Sequence, residues 1–156
     1  MQPDSLNSDF RDMLLALADE RADFVVVGAW ALAYHGHVRA TLDFDVLVRP
    51  TAENAKRVMA ALFRFGAPVQ QHGLTEKDLA TPGTVYQIGL PPRRIDILTQ
   101  ITGVTFEEAW NTREIQQLES RDVAFLARDQ LIKNKRAAGR PKDLADVAEL
   151  ERSNGG

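Results

Sequence analysis

Apolar positions recur along this chain in two periods, and the switches between them mark out the elements. Phe10, Met13, Leu14 and Leu17 fall at helical spacing behind Asn7 and Ser8, either of which can cap a first helix. "DFVVVG" is a short β-rich run ending in Gly28, and it predicts a strand. "AWALAYHG" predicts one short helix closed by Gly36, and "LDFDVLV" a second strand stopped by Pro50. Thr51 then caps a longer helix whose apolar stripe is Ala55, Val58, Leu62 and Phe65. Residues 66–83 carry no clear period beyond one helical turn at "TEKDLA". "TVYQIGL" and "RRIDILTQ" predict two strands joined by a turn at Pro91-Pro92. "TFEEAWNT" predicts a short helix capped by Thr105, and "REIQQLES" with "RDVAFLA" a small hairpin turning near Ser120 and Arg121. Two helices, 129–138 and 141–152, finish the series on either side of Gly139. Pro141 suits the first turn of the last one, because its missing N–H would be unpaired there. The pattern holds no repeat, linker or low-complexity segment. It predicts a single α/β (α+β) domain over residues 1–156, a mixed β-sheet with flanking helices and two C-terminal helices.

Composition narrows this only at a few points. A chain of 156 residues can bury a real core as one domain and is short for two. With no cysteine there is neither a disulfide framework nor a thiolate zinc site. "MQPDSLNSDFRDM" lacks the basic start and apolar run of a signal peptide, and no apolar stretch reaches membrane-spanning length. A cytoplasmic protein with no membrane partner is the expectation. The net charge of −3 gives no general affinity for nucleic acid, but it hides a local bias. Arg128, Lys133, Lys135, Arg136, Arg140 and Lys142 lie within fifteen residues that hold one acid, Asp129.

The acids change the picture more. Asp43 and Asp45 stand two apart in an otherwise apolar strand, so they project from one face. Two carboxylates roughly 6 Å apart at an effective dielectric near 20 repel by about 3 kcal/mol. In "RRIDILT", Ile95 and Ile97 share one face while Arg94, Asp96 and Leu98 share the other. Aspartate is disfavoured in strands, so three such placements call for a cause. A divalent cation supplies one, since hard oxygen ligands suit Mg²⁺ or Mn²⁺ and carboxylate-bridged metal pairs serve phosphoryl and nucleotidyl displacement. The plainer alternative is that these acids face solvent or pair with Arg39, Arg49, Arg93 or Arg94, all near in sequence. Upstream, Gly28 ends a strand where a helix begins. Free N–H groups at such a helix start attract phosphate, and glycine admits close approach of a ligand to the backbone. An anion cradle beside an acidic pair is what a magnesium-bound triphosphate needs. Neither a Walker A run nor a GxGxxG is present.

The stretch "VGAWALAYHGHVRATLDFDVLV" resembles the N-terminal motif of the DNA polymerase β-like nucleotidyltransferase superfamily. Specifically, it is similar to the AbiEii-type branch found in bacterial toxin–antitoxin and phage-defence systems. Gly28, Ala31, Leu32, His35, Gly36, Arg39, Thr41, Asp43 and Asp45 fall on that branch's pattern in order. "LIKNKRAAGRPKDLADVAEL" is similar to it through Lys135, Arg140, Lys142, Asp143 and Asp146, so that with Asp96 the likeness covers most of residues 10–150. The resemblance implies a minimal nucleotidyltransferase fold that moves a nucleoside monophosphate from an NTP to a hydroxyl. The acceptor would be a nucleic acid (a tRNA, for instance) or a protein, and the setting a toxin–antitoxin system. It implies that Asp43 and Asp45 hold the metals, with Asp45 bridging both. Asp96 would complete the metal that activates the attacking hydroxyl and take its proton. The Gly28–Ala29 backbone would bind the β- and γ-phosphates, and pyrophosphate would leave. One departure stands out: the family's second glycine, or serine, is Ala29 here, followed by Trp30. Alanine keeps the N–H but has no hydroxyl. It favours the alternative, a catalytically silent nucleotide-binding module acting as a sensor or as one half of a toxin–antitoxin pair.

The remaining candidates divide by helix face and position. His35 and His37 flank Gly36 at a helix end and are expected to be structural rather than a convergent site. Arg39 and Thr41 could hold the acids or contact phosphate. Lys135 lies two residues after Lys133 and points elsewhere, while Arg136 lies beside Lys133. Lys135 and Arg140 are therefore expected on the nucleotide phosphates, and Lys133 and Arg136 toward solvent or an RNA acceptor. Asp143 and Asp146 are expected to orient Lys135 or Arg140, and Trp30 and Trp110 to be core.

Overall fold

The computed structural model describes residues 7–37, 43–90 and 93–154. Four of its described helices begin where short side chains take up their first N–H groups. The Asn7 carboxamide accepts from Asp9 and Phe10 at the start of α1 (Ser8–Asp19). After β1 (Phe24–Val27), α2 (Gly28–Tyr34) starts without a side-chain cap. Following β2 (Phe44–Val48), Thr51 caps α3 (Ala52–Phe65), which stops at Gly66 in a left-handed conformation. Thr75 and Asp78 form a capping box on α4 (Glu76–Leu79), and Thr105 and Glu108 form another on α5 (Phe106–Asn111). Strands β3 (Val85–Ile88) and β4 (Ile95–Leu98) lie between those two helices. The hairpin β5 (Glu114–Leu118) and β6 (Arg121–Phe125) follows, then α6 (Arg128–Ala138) and α7 (Pro141–Asn154).

The strands form one mixed sheet in the order β3-β4-β2-β1-β6-β5. β1 is antiparallel to β2 and parallel to β6, while β2 is parallel to β4. All four residues of β1 are buried because both faces of the sheet are covered. Phe24, Val26, Phe44, Val46, Ile95 and Ile97 pack with α1 and α3 on one side. Val25, Val27 and Leu47 pack on the other with Leu131 and Ile132 of α6 and Val147 and Leu150 of α7. The expected α/β class with a mixed sheet and flanking helices is what the chain adopts. Among the described residues no helix is long and apolar enough to cross a membrane.

Several element ends shift by a residue or two from the sequence pattern, among them those of α2, α6 and α7, and two further differences concern the hairpin and the acids. The hairpin turns at Glu119–Ser120, one residue earlier than expected, with both residues at positive φ (47° and 69°). Arg121 is paired with Leu118 and belongs to the strand. A two-residue turn of this hand normally advertises itself with Asn or Gly, and this one does not. Asp43 lies just before β2 rather than within it. The expected turn at Pro91-Pro92 falls outside the described residues.

Candidate functional site

Register brings the acids together. Asp45 of β2 is paired with Val27 of β1 on one side and with Asp96 of β4 on the other, and Asp96 is paired in turn with Gln87 of β3. Residues paired across strands share a face, so Asp45 and Asp96 stand side by side. They share the face that carries Leu47 and Leu98, toward α6 and α7. Asp43 stands two residues before Asp45. Gly28 follows Val27 directly, with φ at +64°, and a Cβ built there would come within 2.4 Å of Asp45 Oδ2. Glycine is required here both by the backbone conformation and by the carboxylate.

Arg94 joins the outer two acids. Its Nη2 lies 3.2 Å from Asp43 Oδ2, and its Nε lies 3.1 Å from Asp96 Oδ1, though without hydrogen-bond geometry. Nη2 also donates a long bond of 3.4 Å to Asp96 Oδ2. One buried oxygen on each acid, Asp43 Oδ1, Asp45 Oδ1 and Asp96 Oδ1, has no hydrogen-bond partner. Burial first, then the charges of Asp96 and Asp43, push the Asp45 carboxyl up to about 7, with Arg94 opposing. With all three carboxylates ionised, one guanidinium leaves a formal excess of two negative charges. Hard oxygen donors and that excess fit a divalent cation such as Mg²⁺ or Mn²⁺. The carboxylates nevertheless do not close around a point as they stand. Among the described residues no three His, Cys, Asp or Glu side chains have metal-holding geometry, and Arg94 contacts both Asp43 and Asp96.

Asp43 and Asp45 open onto a cavity of about 650 Å³ that Gly28, Ala29 and Leu32 also line. Its opposite wall comes from α6 and α7, which meet at Gly139 in a left-handed conformation. That wall carries Lys135, Arg140, Lys142, Asp143 and Asp146. The Lys135 side chain, 14% exposed, places Nζ 2.9 Å from Asp146 Oδ2 and 3.7 Å from Asp143 Oδ1. Arg140 donates from Nε and Nη2 to Asp143 at 2.6 and 3.2 Å. That pairing holds the Asp143 carboxyl below its ordinary range. Arg140 itself remains 62% exposed. Its charge therefore reaches the cavity while one side of the fork is anchored.

The other sequence candidates separate from this cluster. Lys133 pairs with Glu108 and Arg136 with Glu151, on the faces of α6 away from Lys135. His35 Nε2 bonds to the Leu126 carbonyl at 2.9 Å, and His37 contacts Glu149 and Ser153, so the two imidazoles diverge. Trp30 is buried between Phe10 and Phe44. Trp110 is partly buried, stacked on Phe106, with the Arg113 guanidinium 3.8 Å from its ring centre. Arg39 and Thr41 fall outside the described residues. The participant least visible beforehand is Arg94, which the sequence offers as one of four nearby arginines. Its position two residues before Asp96, on the same strand face, is the signal that singles it out.

No family model matches this chain, and no curated protein matches it.

Proposed function

We propose that the chain is a metal-dependent nucleotidyltransferase of the minimal, DNA polymerase β-like kind, working on cytoplasmic NTP. One observation carries the reading: Asp45 and Asp96 stand side by side at a sheet end with Asp43 two residues before Asp45, each with a buried oxygen lacking a hydrogen bond, and Asp43 and Asp45 open onto a cavity walled by Lys135 and Arg140. A buried carboxylate oxygen without a partner costs stability, about 1–3 kcal/mol or more for a charged group. Three together are retained where a ligand completes them. Asp43, Asp45 and Asp96 would hold the Mg²⁺ or Mn²⁺. When bound, that ion polarises the α-phosphate and lowers the pKa of the attacking hydroxyl.

The chain's own groups do the rest. Lys135 and Arg140 neutralise the triphosphate from the α6–α7 wall, and the Gly28–Ala29 backbone admits its β- and γ-phosphates closely. Asp96 accepts the proton of the acceptor hydroxyl. The new bond joins the hydroxyl oxygen to the α-phosphorus. The bond from that phosphorus to the β-phosphate oxygen breaks, and pyrophosphate carries the electron pair away. The acceptor is an RNA, such as a tRNA end, or a protein hydroxyl, in keeping with a toxin–antitoxin role.

A specific observation favours a second reading, the silent nucleotide-binding sensor or toxin–antitoxin partner. Arg94 already contacts Asp43 and Asp96, and Ala29 offers no hydroxyl. One experiment separates them. The protein is incubated with Mg²⁺, each α-labelled NTP in turn, and total RNA or lysate. Transfer of label to RNA or protein supports the enzyme. Metal-dependent NTP binding without any labelled product supports the sensor.

A further inference from the structure

Arg94 is held at two levels of firmness. Its carbonyl accepts a 3.0 Å bond from Phe44 N, so its backbone is fixed by the pairing of β4 with β2. Its side chain, 30% exposed, is held far less well. Two other Arg–Asp pairs in this protein are short hydrogen bonds by contrast: Arg140 Nε to Asp143 at 2.6 Å, and Arg49 Nε to Asp23 at 2.8 Å. Arg94 offers no such fork. Its Nε faces Asp96 Oδ1 at 3.1 Å without hydrogen-bond geometry, and its one hydrogen bond to Asp96 is 3.4 Å long. Bidentate guanidinium–carboxylate geometry is what makes such a pair rigid and strong. Arg94 therefore supplies charge to Asp43 and Asp96 without clamping them.

We propose that Arg94 is the built-in counter-ion of this site. Its guanidinium occupies Asp43 and Asp96 while no divalent cation is bound, and it must leave them for the cation to enter, so Arg94 sets the cation affinity. The inference rests on the cation site proposed above. The two cations compete for the same carboxylates, and their charges repel. Binding of one therefore weakens binding of the other. Departure costs little, because a partly exposed side chain on a fixed backbone needs only a change of rotamer. The same competition explains why the carboxylates remain near one another without closing around a point. A guanidinium is wide and planar, and it spaces Asp43 from Asp96 more than a small ion would.

The test measures Mn²⁺ binding to wild type, Arg94→Gln and Arg94→Lys, following free Mn²⁺ by electron paramagnetic resonance. Thermal melts in EDTA and in saturating Mn²⁺ accompany it. Arg94→Gln is expected to bind Mn²⁺ about tenfold tighter than wild type, the scale of one unit charge beside a divalent ion under solvent-like screening. Arg94→Lys, which keeps the charge, should stay near wild type. In EDTA Arg94→Gln should melt below wild type, and saturating Mn²⁺ should close the gap. An Arg94→Gln protein that folds only when Mn²⁺ is present supports the counter-ion role equally. If wild type binds Mn²⁺ and Arg94→Gln binds it no tighter, the counter-ion role is overturned while the cation site stands. If neither protein binds Mn²⁺, the cation site itself fails and this inference falls with it.

Discussion

The two ends of the central sheet hold buried polar groups in opposite conditions. At the end where β1 begins and β2 finishes, Asn54 is 2% exposed and fully engaged. Its carboxamide oxygen accepts from Asp23 N at 2.7 Å, and its Nδ2 donates to the carbonyls of Asp23 and Arg49 at 3.0 Å each. Arg49 bonds to the Asp23 carboxylate, pairs with Glu107, and lies over the Phe106 ring at 4.6 Å. Every group in that network answers another. At the opposite end Asp43 and Asp96 share one loosely held guanidinium, and Asp43, Asp45 and Asp96 each keep a buried oxygen without a hydrogen bond. Burial alone does not mark function. A satisfied polar cluster stabilises and specifies a packing arrangement, whereas one left incomplete is costly unless something outside the chain completes it.

Substitutions at the two ends should therefore fail in different assays. Asp45→Asn should cost the most in transfer, at least about a hundredfold. Partners that only orient metal ligands already cost about 10–100-fold when removed, and Asp45 is placed as a ligand itself. Asn54→Ala should leave Mg²⁺ and NTP binding intact and lower stability by about 1–3 kcal/mol, since Asp23 N loses its acceptor while the carbonyls of Asp23 and Arg49 keep only their bonds from Arg49 N and Thr51 N. Urea denaturation of that variant, with NTP titration on the folded protein, checks both halves. Lys135→Ala should weaken NTP binding whatever the acceptor. Lys133→Ala should leave both NTP binding and stability nearly intact, because its pairing with Glu108 is exposed and screened by solvent. Equal losses of NTP affinity in the two lysine variants would mean that the wrong face of α6 has been assigned.

Much of the scaffold is legible in the sequence because its signals are local. Thr51 and Thr105 cap the helices they precede, as their positions ahead of the helical patterns indicate. Alternation in "RRIDILT" places Asp96 on the opposite face from Ile95 and Ile97. Spacing on the helix separates Lys133 from Lys135. What stays hidden depends on distant segments meeting. No local pattern says that β2 and β4 are neighbours with Asp45 opposite Asp96, or that Arg94 contacts both outer acids. Asn54 sits in the first turn of α3 beside the apolar stripe and looks ordinary there. Its role arises from Asp23, 31 residues earlier. The Glu119–Ser120 turn departs from the local pattern by one residue for a related reason. Pairing along the whole hairpin imposes positive φ on residues that do not advertise it.

Asp45 also gives the comparison a pH signature in the metal-free protein. Its folded pKa of about 7 lies above its unfolded value near 4, so the folded state holds the proton more tightly between them. This group's effect on stability is absent below pH 4 and becomes increasingly unfavourable as pH rises through 7. Asn at this position does not titrate. In EDTA the stability advantage of Asp45→Asn over wild type should thus grow from pH 5 to pH 8.

The central claim is that the acidic sheet end is incomplete because a divalent cation belongs there, and thermal melts of wild type and Asp45→Asn at pH 8 test it most directly. In EDTA, Asp45→Asn should be at least as stable as wild type, since one of three mutually repelling charges is gone. Mg²⁺ at ten times its dissociation constant should then stabilise wild type by about 1.4 kcal/mol, a rise of about 3–6 °C for a chain of this length, and leave the variant almost unmoved. If Asp45→Asn melts clearly below wild type in EDTA and Mg²⁺ shifts neither protein, the acids are structural and the account is contradicted.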